Sequence, residues 1–201
     1  MVGDDVVDLH DPAIATHHLR TRFLDRVLHP DERAALAVAR SPEVLLWSYF
    51  AAKEAAYKVA VKRDPSVILA HRRFVVSPTL ASVRHEDRDL ALVLDVDEAR
   101  GFAHAIAWSE GPMPLHALAT LAAPHDVSTP GVEARALLCR TIAGRLGCAV
   151  EALSIVRRPV AGSWDGFAPP RLTRDGRDLD LDVSLSHDGR FVSFAAELPR
   201  S

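Results

Sequence analysis

The segment Trp47–Lys58, WSYFAAKEAAYK, constrains the fold of this chain more than any other stretch. Ala51, Ala52, Ala55 and Ala56 are strong helix formers and leave room for another backbone to pack closely. The spacing predicts a helix over residues 43–62. Into it the sequence sets Lys53, Glu54 and Lys58. Glu54 and Lys58, at i and i+4, share a face, and Lys53 lies about a quarter-turn to one side. Two readings stand side by side. One is a solvated salt bridge contributing ~0.2–0.5 kcal/mol. The other is a carboxylate and an ammonium that each face a ligand.

Composition narrows the partners. The chain of 201 residues is 48% hydrophobic and 25% charged with a net charge of −3, so it can bury a sizeable core and has no global basic field to recruit nucleic acid or anionic membrane. No apolar run reaches the ~20 residues of a membrane span, and the acidic MVGDDVVDLHD start lacks a signal-peptide layout. Cys139 and Cys148 sit about 13 Å apart along one predicted helix, too far for a disulfide. A reduced, cytoplasmic protein is expected.

The first part reads as a valine-rich strand at 2–9, a helix opened by Asp11-Pro12, a helical pattern at 19–28, a short helix at 31–39, and the long helix capped by Ser41-Pro42. Strands are predicted at 72–77, 90–95, 101–108 and 115–122. Residues 124–130 read as a linker. An amphipathic helix at 131–146, stopped by Gly147, precedes strands at 153–157, 179–185 and 190–197, with a Pro/Gly-rich loop at 159–171. The expected fold is α+β. Two similar halves, 1–123 and 131–201, each pack a long helix on a small antiparallel sheet and form a pseudo-dimer with a central cleft. The segments 103–108 and 191–196 would be equivalent last strands.

Three constellations could carry chemistry. On the first strand, alternation points Asp5 opposite to Asp4 and Asp8. A carboxylate on the buried face needs a partner or a cation, while the plain alternative is three solvated aspartates at a strand edge. The second constellation is Lys53, Glu54 and Lys58, a carboxylate for a metal and ammonium groups for phosphate. The third is Ser184-Leu185-Ser186-His187-Asp188-Gly189, read either as a turn presenting Ser186 and His187 to a phosphate or as an ordinary β-turn. Adjacent Ser186 and His187 do not make a nucleophile–base pair on a strand, and there is no G-x-S-x-G elbow, Walker loop or G-x-G-x-x-G.

In this order the segments resemble the 4′-phosphopantetheinyl transferases. The resemblance rests on Gly3-Asp4-Asp5, then Arg22-Phe23-Leu24-Asp25-Arg26-Val27-Leu28, then Phe50–Lys58 with its Lys-Glu-Ala-x-x-Lys, and Ser184-Leu185-Ser186-His187. The motif order looks like the short holo-acyl-carrier-protein synthase type and the length like the longer two-half type, with the halves in permuted order. The resemblance implies transfer of the phosphopantetheine arm of coenzyme A to a serine of an acyl or peptidyl carrier protein, with release of 3′,5′-ADP. It implies Mg²⁺, with Mn²⁺ as the alternative ion, held by Asp5 and Glu54. Glu54 would also act in activating the serine, and Lys58 would neutralise phosphate. His187 with Ser186 would meet the nucleotide phosphates, and Lys53 would be a further coenzyme A contact. Arg22 and Arg26 would touch the carrier protein or coenzyme A.

Two departures accompany the resemblance. Val7 stands where the longer type has a second acidic residue. Ala168-Pro169-Pro170-Arg171 stands where it has Gly-Lys-Pro, so Arg157, Arg158 or Arg171 would take the place of that lysine. A monomer is expected, since both halves lie in one chain. The competing readings are a non-catalytic relative that binds coenzyme A or a carrier protein, and an unrelated metal-dependent phosphohydrolase.

Overall fold

The computed structural model describes residues 1–121, 129–160 and 166–198. β1 (Val2–Asp8) leads through turns to α1 (Thr21–Val27), α2 (Pro30–Ala37) and the long α3 (Pro42–Arg63). A 3-10 turn, His71–Arg73, then opens β2 (Phe74–Val76), followed by β3 (Ser82–His85), β4 (Arg88–Asp97) and β5 (Phe102–Trp108). β6 (Leu115–Thr120), α4 (Thr129–Leu146), β7 (Leu153–Val156), β8 (Arg171–Arg174), β9 (Arg177–Asp188) and β10 (Phe191–Glu197) complete the chain.

The strands form two antiparallel sheets, ordered β1-β5-β4-β3-β2 and β6-β10-β9-β8-β7. Each sheet is built in the same way. A first strand is followed by a long helix and a four-strand meander, and the last strand returns beside the first. The α+β class, the two similar halves and the equivalence of β5 with β10 therefore stand as read from the sequence. One strand changes sides. Residues 115–120 lie inside the 1–123 half of the sequence reading, yet β6 pairs with β10 and is the second sheet's counterpart of β1. Strand pairing outweighs chain proximity here. The linker at 124–130 falls mainly outside the described residues.

Local chemistry explains most elements. Proline stands at the start of both α2 and α3, where a missing N–H costs nothing. His29 and Glu32 cap α2 reciprocally. Gly147 takes a positive φ of 60° after α4, the left-handed position that ends a helix. The Asp11-Pro12 helix does not form. Asp11 Oδ1 instead accepts the Ala13 N–H at 2.8 Å, an Asx turn that competes with helix initiation. β9 runs through Asp188, so Ser186 and His187 lie on a strand and the turn comes later, at Gly189.

Each helix covers one face of its sheet. Leu46, Ala51, Ala55 and Val59 of α3 pack with Phe74, Val83, Leu92 and Ala105. Leu138 and Ile142 of α4 pack with Leu172, Val183 and Phe194. The other faces of the two sheets meet each other through Val2, Ile106 and Ala195, and through Val6, Phe102 and Phe191. β1 thus lies between α3 and the second sheet. Gly3 makes this approach feasible, because a Cβ there would fall on the Ala55 carbonyl.

Candidate active site

The outer edge of β1 has no strand beside it, and side chains complete its hydrogen bonding. The N–H groups of Val2, Asp4, Val6 and Asp8 donate to Asp182 Oδ2, Ser184 Oγ, Ser186 Oγ and Asp188 Oδ2 at 2.6, 3.0, 3.3 and 2.8 Å. The offset is 180 residues in every case. The period of two on both strands produces this ladder. The carbonyls on the same edge accept from α3, Val2 O from Lys62 at 2.6 Å and Asp4 O from Lys58 at 2.6 Å. Backbone amides left bare at a buried edge would each cost about 1–3 kcal/mol, so polar residues at alternate positions of β9 are what this seam requires.

All three N-terminal aspartates are buried, which overturns the solvated-edge alternative. Asp4 faces the second sheet, takes a hydrogen bond from Ser193 Oγ at 2.9 Å and meets His104 Nε2 at 2.6 Å. Asp8 accepts from Arg190 N, Nε and Nη2 at 3.0, 2.8 and 2.7 Å. Asp5 points the opposite way, toward α3. Its Oδ1 accepts from Lys58 Nζ at 2.8 Å and Ser186 Oγ at 2.9 Å, while Oδ2 has no protein donor among the described residues. Burial pushes Asp5 up to about 6. Lys58 opposes that rise, the negative charge of Glu54 adds to it, and the Lys58 and Ser186 hydrogen bonds pull it back. Asp5 and Glu54 therefore share one electrostatic environment. Burial opposes the charge on Lys58, but Asp5 and Asp4 outweigh it and hold the ammonium above its ordinary value.

Glu54 has a different protein partner from Asp5. Its Oε1 lies 2.7 Å from His71 Nε2. His71 is clamped from α3, with Phe50 stacked on its ring at 4.7 Å and Lys53 Nζ donating to its carbonyl at 3.1 Å. Glu54 Oε2 is left free among the described residues. His71 carries no signal in the sequence, since nothing local pairs residues 54 and 71.

The fully buried Lys53 requires a correction. Its ammonium meets Glu32 Oε2 at 2.7 Å and donates to the carbonyls of His71 and Phe74. An ammonium has three protons, and all three are committed, so the coenzyme A contact expected of Lys53 has no donor left. Ser186 is corrected in a similar way. Its hydroxyl accepts from Val6 and gives its one proton to Asp5, which makes it a support for Asp5 rather than a phosphate contact.

His187 is exposed, on the α4 side of β9. A Cβ on Gly131, in the first turn of α4, would come within 3.9 Å of its Nε2 and 3.2 Å of Arg135 Nη1. Burial lowers the His187 pKa, and the positive charges of Lys58 and Arg135 lower it further. The negative charge of Asp188 opposes that fall. His187 thus lies in charge range of Lys58 and Arg135 near the start of α4, and the sequence reading does not mark Arg135. Arg158 and Arg171 lie elsewhere and share Asp178, at 2.8 and 3.8 Å. Arg157 donates to the Ala168 carbonyl at 3.0 Å.

A hard divalent cation needs one or two carboxylates and completes its shell with water and phosphate oxygens. Asp5 and Glu54 each keep one oxygen free of protein donors among the described residues, and Glu54 lies close enough for its charge to act on Asp5; no cluster of three or more metal-ligating side chains occurs among the described residues. Phosphoryl transfer requires little else from a protein than such positioning and charge.

β1 carries Gly3-Asp4-Asp5 and packs on α3, which carries Lys53-Glu54-Ala55 and Lys58, the motifs on which the resemblance to the phosphopantetheinyl transferases rests. The model of the 4′-phosphopantetheinyl transferase superfamily matches residues 1–107, more than half of the chain, and the chain belongs to that superfamily. No curated protein matches it. Among solved structures, the crystal structure of Thermotoga maritima holo-[acyl-carrier-protein] synthase is similar at 12% identity. That match covers 88% of this chain and 83% of that one, with a TM-score of 0.37, a likeness too low to carry an argument.

Proposed function

We propose that this protein transfers the 4′-phosphopantetheine arm of coenzyme A to a serine of an acyl or peptidyl carrier protein and releases 3′,5′-ADP. The observation that supports the reading is the Lys58–Asp5 ion pair, tied by the Ser186 hydroxyl to the strand that carries His187, with Glu54 in charge range of Asp5. Asp5 Oδ2 and Glu54 Oε2 would hold Mg²⁺, or Mn²⁺ in its place. Bound there, the ion would neutralise pyrophosphate charge and favour departure of the nucleotide. Lys58 has two protons committed to Asp5 and the Asp4 carbonyl and turns the third to the phosphate that is attacked, offsetting charge as it builds. His187, Arg135 and the first turn of α4 receive the nucleotide phosphates. With Oε1 on His71 and Oε2 on the ion, Glu54 would act on the carrier serine through the ion it holds. Arg158 and Arg171 remain an ion cluster on Asp178 in this reading.

Both carboxylates and Lys58 come from the first half and His187 from the second, so one chain carries a complete site and acts as a monomer. No helix among the described residues is long and apolar enough to cross a membrane, and a cytoplasmic setting suits the coenzyme A substrate. The test is mass spectrometry of purified apo acyl and peptidyl carrier proteins after incubation with the enzyme, coenzyme A and Mg²⁺. A phosphopantetheine mass gained on one serine, and lost with Asp5→Ala and Glu54→Ala, is expected. Absence of the gain across the panel would overturn the reading.

A further inference from the structure

Between the two sheets a polar layer separates two apolar ones. Along β1, β5 and β10 the side chains that face the sheet interface recur at every second residue. Val2, Ile106 and Ala195 form one apolar layer, and Val6, Phe102 and Phe191 form another. Asp4, His104 and Ser193 lie between them, all buried. Asp4 Oδ1 meets His104 Nε2 at 2.6 Å, and Asp4 Oδ2 accepts from Ser193 Oγ at 2.9 Å. The Asp4 amide donates to Ser184 Oγ at 3.0 Å, and its carbonyl accepts from Lys58 Nζ at 2.6 Å. Every polar atom of Asp4 is therefore engaged, and its four partners come from β5, β10, β9 and α3.

Stability does not account for this layer. Withdrawing a carboxylate from water is costly, and an apolar trio of similar volume serves a core as well or better. What the polar groups add is direction. Apolar contact is non-directional and tolerates a slide of one sheet over the other, whereas these hydrogen bonds close at one distance and angle only. His104 belongs to the first sheet and Ser193 to the second, so the Asp4 carboxylate bridges the interface and pins one sheet to the other.

The register matters to the site. Two protons of Lys58 go to Asp4 O and Asp5 Oδ1, neighbouring residues of β1. The amides of Asp4 and Val6 rest in turn on Ser184 and Ser186 of β9, the strand that carries His187. A shift of β1 against the second sheet would thus move Lys58 and Asp5 together, away from their place relative to His187. We propose that His104 and Ser193, acting through Asp4, are positioning residues that fix the register of the two sheets and so place Lys58 and Asp5 against the strand of His187. This inference rests on the transferase reading above for the chemistry that the register serves, and it adds two residues from outside that site.

The test replaces the layer by an apolar one, Asp4→Val/His104→Leu/Ser193→Ala, and reads stability, turnover and amide exchange against wild type. The thermal midpoint is expected at or above that of wild type. With an apo carrier protein, coenzyme A and Mg²⁺, kcat should fall about ten- to hundredfold, while the carrier KM stays within about twofold. The Val6 and Asp8 amides, which sit on the seam with β9, should exchange about tenfold faster or more by a local opening that global stability does not report. A layer that serves stability alone would lower the midpoint and preserve kcat at a temperature where the variant is folded. That result would overturn the proposal, as would unchanged exchange at Val6. Exchange needs no turnover, so it separates the two levels. Faster exchange in the variant, with no labelling of any carrier protein by wild type, would sink the transferase reading and keep the register layer. If the triple variant fails to fold, His104→Leu is compared with His104→Gln, which keeps a donor for Asp4. The first is expected to lose about tenfold in kcat and the second to recover most of it, and equal kcat in the two counts against the proposal.

Discussion

Ser186 Oγ donates a hydrogen bond to Asp5 Oδ1 at 2.9 Å while accepting one from the Val6 N–H at 3.3 Å, joining residues 181 and 180 positions apart. One hydroxyl thus ties the second half to both the backbone and the buried Asp5 carboxylate of the first. Ser186→Ala leaves a buried amide without a partner and is expected to cost about 1–3 kcal/mol, read as a lower urea midpoint with an unchanged slope. Ser186→Thr, which keeps the hydroxyl, should recover most of the loss.

Gly3 lets β1 rest on the α3 backbone at Ala55. Gly3→Ala forces the strand away from the helix and carries Asp5 with it. The expected outcome is a loss of roughly 1–3 kcal/mol in stability, together with weaker binding of Mn²⁺ by paramagnetic resonance. Gly144→Ala is the control: a Cβ there meets nothing within 4 Å, and both measurements should stay intact.

Lys53 and Glu32 form a fully buried ion pair. Removing one partner leaves an uncompensated charge, so Lys53→Met is expected to destabilise by about 3–5 kcal/mol in thermal unfolding. Adding Glu32→Gln should return part of that loss. At a temperature where Lys53→Met is still folded, its affinity for coenzyme A by calorimetry should equal that of wild type. A selective loss of coenzyme A binding would reinstate Lys53 as a ligand contact.

His71 orients Glu54 from one side. Groups that hold a ligating carboxylate typically tune metal affinity about 10–100-fold. His71→Ala is expected to weaken Mn²⁺ binding by about tenfold with the circular dichroism spectrum unchanged. His71→Gln, which retains a donor, should restore part of it.

Asp8 gives the acid limb of stability. Burial raises its pKa, but the hydrogen bonds from Arg190 and from the His10 amide outweigh burial and hold it below the ordinary 3.8. A lowered folded-state pKa contributes stability that is present above the unfolded value and lost as pH falls through the folded one. Urea midpoints of wild type should therefore fall steeply below about pH 4. Asp8→Asn should be less stable at pH 7 by about 2 kcal/mol and show a shallower acid limb.

Much of the fold is written in short-range pattern. The alanines and the Pro42 start define α3, the apolar period and Gly147 define α4, and valine alternation places Asp5 opposite to Asp4 and Asp8, because these signals act within a few residues of each other. β3 and β8 carry one apolar residue each, Val83 and Leu172, and are not legible in the sequence, whereas the equally short β7 has Leu153, Ile155 and Val156. The spacing from Glu54 to Lys58 is visible there, but its meaning is not, since a solvated pair and a lined cleft share it.

Tertiary structure alone decided the rest, and always through contacts between distant residues. Lys53 and Lys58 are both lysines on one helix, yet Glu32 claims the first for the core and Asp5 holds the second at the seam. β6 joins the second sheet because its partner is β10. The ladder from β9 to the edge of β1 exists because two strands of period two meet across 180 residues. The sequence by itself determined which helices and strands could form and which residue types were present for phosphoryl chemistry. Which of those residues share a site followed from the packing of two sheets around β1, where the buried polar groups along its edge had to find partners.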